Sequence, residues 1–258
     1  MGAHIVKRFA KDNIMLALKT AFASIVAVVL SMGPVVNWGV CPQGQHNPPA
    51  PPAGSAKLLD EYNGLFRVNT DEKRVYFTFD LGYEAGYTGA VLDTLKAHNI
   101  KGIFFLCGNY LKETALIERM HAEGHIIGNH TDRHKDLPTL SPDAIKTDIM
   151  DFQTKYLTQY PDKPAPTFMR PPKGRFDDKT LTVARDNGFR TMLWSIATVD
   201  WGKTAIDADK TAATITKRLH PGAIMLCHIT NAGMPKTIEK VLPMIALAGY
   251  TVGDPHEI

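Results

Sequence analysis

Over residues 57–258, short runs of β-branched and aromatic residues alternate with longer stretches whose apolar positions recur every three or four residues. That alternation predicts strands joined by amphipathic helices. The series opens at residues 75–80, where Val75, Tyr76, Phe77 and Phe79 predict a first strand ending at Asp80. Val91, Leu92 and Leu95 mark one face of a helix that stops near His98-Asn99, and a second strand follows over 102–106. A helix over 111–122, stopped by Gly124, leads to a short strand over 126–129. Ser141-Pro142-Asp143 combines an N-cap, a proline at the first helical position and an acid suited to the helix dipole, so a helix is predicted from there to about Tyr160. Further strands are predicted over 167–170, 190–195, 223–228 and 250–252, with helices over 178–187, 209–219 and 235–247. Seven such β/α repeats predict an α/β protein built as a distorted (β/α)7 barrel. An open, doubly wound parallel sheet is the competing arrangement.

The first 56 residues have a different texture. Lys7, Arg8 and Lys11 precede an apolar run over 14–36, and no Asp, Glu, Lys or Arg occurs over 20–56. Basic residues before an apolar run predict an export signal peptide or an uncleaved membrane anchor over 1–36; a buried core helix is the alternative. The prolines at 48, 49, 51 and 52 predict an extended spacer over 37–56, which leaves 57–258 as the domain. Removal of residues 1–56 is then expected to leave a folded domain.

Composition narrows the function classes. With 44% apolar and 21% charged residues the chain is an ordinary globular one, neither collagen-like nor wholly disordered. A net charge of +3, with no Lys/Arg block longer than two, gives no reason to expect nucleic acid as a partner. The three cysteines lack C-x-x-C spacing, which excludes a disulfide framework and a thiolate zinc knuckle. Cys107 and Cys227 are expected as small buried apolar residues.

Parallel β/α folds carry their chemistry at the carboxyl ends of the strands. The ionisable residues predicted there are Asp80, His130, His134, Arg170, Asp200 and His228. His130 and His134, four apart, are spaced to meet on one ion; as a bare pattern they equally suit a solvated loop. Two imidazoles do not complete a zinc site, and the nearest carboxylates in sequence terms are Asp80, Glu84 and Asp132.

Taken in order, Thr78-Phe79-Asp80-Leu81-Gly82-Tyr83-Glu84, His130-Thr131-Asp132-Arg133-His134, Arg170-Pro171-Pro172, Val199-Asp200-Trp201 and Leu226-Cys227-His228 resemble the five motifs of polysaccharide deacetylases of the NodB-homology, carbohydrate esterase 4 type. The resemblance runs from about Val75 to the end. Residues 82–88 and 124–130 resemble most the branch that forms muramic δ-lactam in spore peptidoglycan. It implies hydrolytic de-N-acetylation of peptidoglycan amino sugars, N-acetylmuramic acid above all, with a peptidoglycan glycan strand as partner and a site of action outside the cytoplasm. It further implies Asp80 as general base, His228 as general acid, Arg170 holding Asp80, Asp200 orienting His228, and His130 and His134 as ligands of a divalent metal, expected to be zinc. Tyr83, Pro171 and Trp201 would wall the sugar groove. Amide hydrolysis at neutral pH needs an activated water, a stabilised oxyanion and a proton for the departing amine, and these residue types supply them.

One position departs from the pattern. The family's first motif commonly carries a second acid that binds metal, and here Leu81 follows Asp80. A glycan-binding module with a decayed metal site is therefore a rival, and an O-acetyl esterase using the same machinery is another.

Overall fold

The computed structural model describes residues 33–202 and 204–258, so the expected signal or anchor segment lies, up to residue 32, outside the described residues. The predicted β/α series is present. Strand β2 (Arg74–Leu81) leads through α2 (Thr88–Ala97) to β3 (Ile103–Leu106), then through α3 (Thr114–Ala122) to β4 (Ile126–Asn129). Helix α4 (Pro142–Gln159) leads to β5 (Phe168–Met169), and α5 (Asp178–Asp186) to β7 (Arg190–Thr191). Strand β8 (Ile196–Ala197), α6 (Ala208–Lys217), β9 (Ala223–His228), α7 (Met234–Leu247) and β10 (Thr251–Val252) complete it. The strands line up in the order β7-β5-β4-β3-β2-β9-β8, with β10 beside the start of β2, and every pair in this sheet is parallel. No ladder joins the end strands β7 and β8 among the described residues, so the sheet is a curled barrel open along one side.

The period of two along β2 sorts its side chains into two layers. Val75, Phe77, Phe79 and Leu81 pack between the sheet and helices α2 and α7, among Val91, Leu92, Leu95, Ile238 and Val241. The opposite face looks into the barrel, whose apolar filling comes from Ile103, Phe105, Phe168, Met192, Ile224 and Leu65. Gly128 is required there, because a Cβ at that position would lie 2.5 Å from the Phe105 ring. Helix starts are capped as their sequences suggest: Ser141 accepts the amide of Ala144, with Pro142 in the first turn of α4.

Two features differ from expectation. The strand expected over 190–195 is split, because after β7 the chain leaves the ladder: Leu193 donates to the carbonyl of Leu65, and the Met192 and Leu193 carbonyls accept from the Arg170 guanidinium. The expected spacer is in part folded onto the domain. Strand β1 (Val36–Asn37) pairs antiparallel with β6 (Arg175–Phe176), Cys41 and Ala50 exchange backbone hydrogen bonds, and α1 (Ser55–Glu61) follows. Trp38, only 6% exposed, packs with Leu59, Phe176, Leu181 and Leu193. An indole buries more apolar area than most side chains, which outweighs the extended preference of the prolines beyond it. No helix among the described residues is long and apolar enough to cross a membrane.

Candidate active site

Asp80 is the last residue but one of β2 and His228 closes β9, and the two strands are paired in register so that these residues sit directly opposite each other. Thr78 and Leu226 are partners one step earlier on the same barrel-facing side. The carboxyl ends of adjacent parallel strands thus place a carboxylate and an imidazole side by side, as the sequence predicts.

Arg170, just past β5, reaches across beneath them. It is wholly buried, with Nη1 donating to Asp80 Oδ1 at 2.7 Å and to Thr78 Oγ1 at 2.9 Å. Its Nε and Nη2 donate to the carbonyls of Met192 and Leu193 at 2.9 and 3.0 Å. The guanidinium also lies over the Phe105 ring, 4.2 Å from its centroid. Burial works to raise the Asp80 carboxyl, but the charge and hydrogen bond of Arg170 outweigh it, and the group is held below the usual carboxylate range. Asp80 is therefore ionised at neutral pH.

His228 is governed by Asp200. Its Nδ1 lies 2.8 Å from Asp200 Oδ1, and its backbone amide donates to Asp200 Oδ2 at 2.8 Å, so one fully buried carboxylate fixes both ring and backbone. Burial works to lower the imidazole, yet the bond and charge of Asp200 prevail and its pKa is raised above the ordinary value. Asp200 thus shifts His228 toward its protonated form while Arg170 shifts Asp80 opposite toward its ionised form.

His130 and His134 form the third part of the site, with ring centroids 4.9 Å apart in an edge-to-face arrangement. His130 Nδ1 is 2.8 Å from the carbonyl of Arg170 and so carries the proton, which leaves a lone pair on Nε2, 3.6 Å from Asp80 Oδ2. Burial pushes the His130 imidazole down to about 4 and lowers that of His134 as well. Both rings are neutral donors at pH 7. Thr131 and His134 take left-handed φ values of 65° and 51°, and the Thr131 hydroxyl accepts the His134 amide.

Two neutral imidazoles beside an ionised carboxylate are a donor set that fits a divalent ion. It remains a two-nitrogen cradle, for no group of three or more His, Cys, Asp or Glu residues is poised to hold an ion among the described residues. Leu81 is buried in the helix-side layer. Of the other carboxylates near in sequence, Glu84 accepts from Gly86, Thr88 and Tyr110, and Asp132 is bound through both oxygens to Lys155. Neither is available as a third ligand.

At the rim, Tyr83 and Trp201 are 54% and 61% exposed. Pro171, expected as a third wall, is instead buried beside Arg170, where a rigid proline helps fix the strand end. Residues that the sequence pattern did not single out complete the site: Thr78, Phe105 and the Met192 and Leu193 carbonyls around Arg170, and Lys155 and Asp148 behind the histidine loop. Asp148 accepts the amides of Asp132 and Arg133 through its carbonyl and carboxylate. Carbonyl acceptors have no sequence signature; Thr78 did have one, a polar residue facing the same side as Asp80.

Comparison with known proteins agrees with this geometry. Residues 67–192 match the family model described as polysaccharide deacetylase. The peptidoglycan-N-acetylmuramic acid deacetylase PdaA of Bacillus subtilis is 37% identical over 218 residues, covering 84% of this chain and 82% of the relative. A peptidoglycan-N-acetylglucosamine deacetylase of Bacillus cereus is 32% identical over 196 residues, 74% of this chain and 70% of the relative. The structure of Bacillus subtilis PdaA, a family 4 carbohydrate esterase, superposes with a TM-score of 0.81 at 34% identity, covering 86% of this chain and 96% of that one. With sequence and fold matching over most of both chains, and the ordered rim residues in place, this chain belongs to the polysaccharide deacetylases.

Proposed function

We propose that the protein hydrolyses the acetamide of peptidoglycan amino sugars, N-acetylmuramic acid in particular, outside the cytoplasm. The observation that carries this reading is the register of β2 with β9, which sets Asp80, held ionised by Arg170, opposite His228, whose hold on a proton Asp200 strengthens. A divalent ion, zinc by the chemistry of its donors, would be held by His130 and His134. When bound it supplies a Lewis acid that polarises the acetamide carbonyl and acidifies water.

The side chains do the rest. Asp80, aimed by Arg170, takes a proton from water as the hydroxide oxygen adds to the acetamide carbon. His228, steadied by Asp200, gives its proton to the amine nitrogen as the C–N bond breaks, leaving acetate and a free amine. Tyr83 and Trp201 offer flat apolar faces to the pyranose rings on either side of the reacting group. The basic N-terminus and following apolar run support export, with the chain either cleaved or kept at the membrane. Pure glycan binding would have no use for a carboxylate and an imidazole shifted in opposite directions across one rim.

The test is mass spectrometry of glycan strands after incubation with the purified protein. Loss of 42 mass units per amino sugar, about the mass of an acetyl group less hydrogen, is expected on N-acetylated strands and not with Asp80→Asn. Acetate release only from O-acetylated strands would make it an esterase instead. No release from either, with glycan still bound, would make it a binding module.

A further inference from the structure

Trp38 lies outside the residues matched by the family model and far from the rim motifs in sequence, yet it ties together the two segments that hold Arg170. Its backbone amide donates to the carbonyl of Gly174 at 2.9 Å, in the turn that directly follows Arg170-Pro171-Pro172. Its indole Nε1 donates to the carbonyl of Trp194 at 2.9 Å. That carbonyl is next along the chain from those of Met192 and Leu193, which accept from the Arg170 guanidinium. The Trp194 ring itself lies 5.7 Å from the guanidinium carbon. There is no slack between the two segments: Gly174, at φ 63°, would with a Cβ come within 2.6 Å of the Trp194 ring and 3.0 Å of the Trp38 Cβ.

From this we infer that Trp38 is a positioning residue for the deacetylation proposed above, acting through the carbonyl track at 192–194 to keep the Arg170 guanidinium aimed at Asp80. Arg170 reads its position from two sides. Its backbone is set by β5 and the turn at 171–174, and its side chain by the Met192 and Leu193 carbonyls. Trp38 is bonded to the turn at Gly174 and to the carbonyl of Trp194, the residue that follows the two acceptors of the side chain. Its ring is fixed in turn against Phe66 and Phe176, with centroids 5.1 and 6.3 Å away. Release of the Trp194 carbonyl frees the track to shift, and the guanidinium shifts with it. Small displacements of an aiming group lower turnover more than binding.

The experiment compares full-length wild type, Trp38→Phe, and Leu181→Val, the last a volume change in the same apolar cluster away from the carbonyl track. Trp38→Phe keeps a ring and removes the indole donor. Two quantities are read: kcat and KM for acetate release from N-acetylated peptidoglycan, and hydrogen exchange of the Arg170 Nε–H by NMR, which needs no activity. Trp38→Phe is expected to lower kcat about 5-fold, the equivalent of one net hydrogen bond, with KM within about twofold and Arg170 exchange about tenfold faster. Leu181→Val should leave both at wild-type values. Unchanged kcat and exchange in Trp38→Phe, or equal losses in Leu181→Val, overturns the proposal. If Trp38→Phe fails to fold, benzothienylalanine at position 38, which keeps the bicyclic shape without the donor, gives the same decision. A wild type that releases no acetate sinks the functional reading alone, while the exchange comparison still decides the tie.

Discussion

Two ionisable side chains separated by one strand spacing are driven in opposite directions by their partners. Asp80 is kept charged by a guanidinium that is itself fully buried, and His228 is shifted toward its charged form by a fully buried carboxylate. Each buried pair is costly to break from one side, because the survivor is left uncompensated. Asp200→Asn isolates the effect at His228, removing the charge that raises its pKa while Asn can still hydrogen-bond the ring. If protonated His228 donates to the amine, activity is lost as pH rises through its pKa. Lowering that pKa then moves the alkaline limb of kcat/KM to lower pH. The expected outcome is an alkaline limb displaced toward acid, read from a pH–rate profile; an unmoved limb would assign that proton elsewhere.

At the scale of elements, the sequence was legible where periodicity and capping were strong. The helices over 142–159 and 178–186 and the strands over 74–81 and 223–228 lie within a residue or two of expectation. Asp80, His130, His134, Arg170, Asp200 and His228 do meet, because strand-end position follows from the β/α pattern alone. Strands β5, β7 and β10, two residues each, lie within longer apolar or β-branched runs that the sequence does show; β1, β6 and β8 are as short and were invisible. So were the partners of Arg170, since a backbone carbonyl looks the same in every sequence. Between α3 and β4 lies His125. It is buried, with Nδ1 accepting the Gly102 amide, and burial pushes its imidazole down to about 4 from an ordinary 6.5. The unfolded chain takes up that proton first as pH falls. The stability contributed by neutral His125 is therefore complete above about pH 6.5 and is lost progressively toward pH 4, with His130 adding the same sign. Urea midpoints measured across that window should fall with acid, and His125→Asn, which retains an acceptor for Gly102, should flatten the slope.

For the whole molecule, the N-terminal boundary of the folded unit lies earlier than the proline-rich texture suggests. Trp38 and β1 belong to the same compact unit as the barrel, which begins at Val36. A chain starting at residue 33 should fold and melt as the full-length protein does. One starting at residue 57 loses a buried indole and is expected to be less stable by about 3 kcal/mol or more, as read by denaturant unfolding. Equal stability of the two truncated chains would return residues 33–56 to the role of a plain tether. The same segment carries Cys41, exposed, while Cys107 and Cys227 are buried and their thiols are pushed far up by burial. Thiol reagents should therefore see a single sulfur in the native protein and three after denaturation. That selectivity turns Cys41 into a ready-made labelling point three residues from Trp38. A dye attached there, without any engineered cysteine, would give an optical signal for the docking and release of this strap.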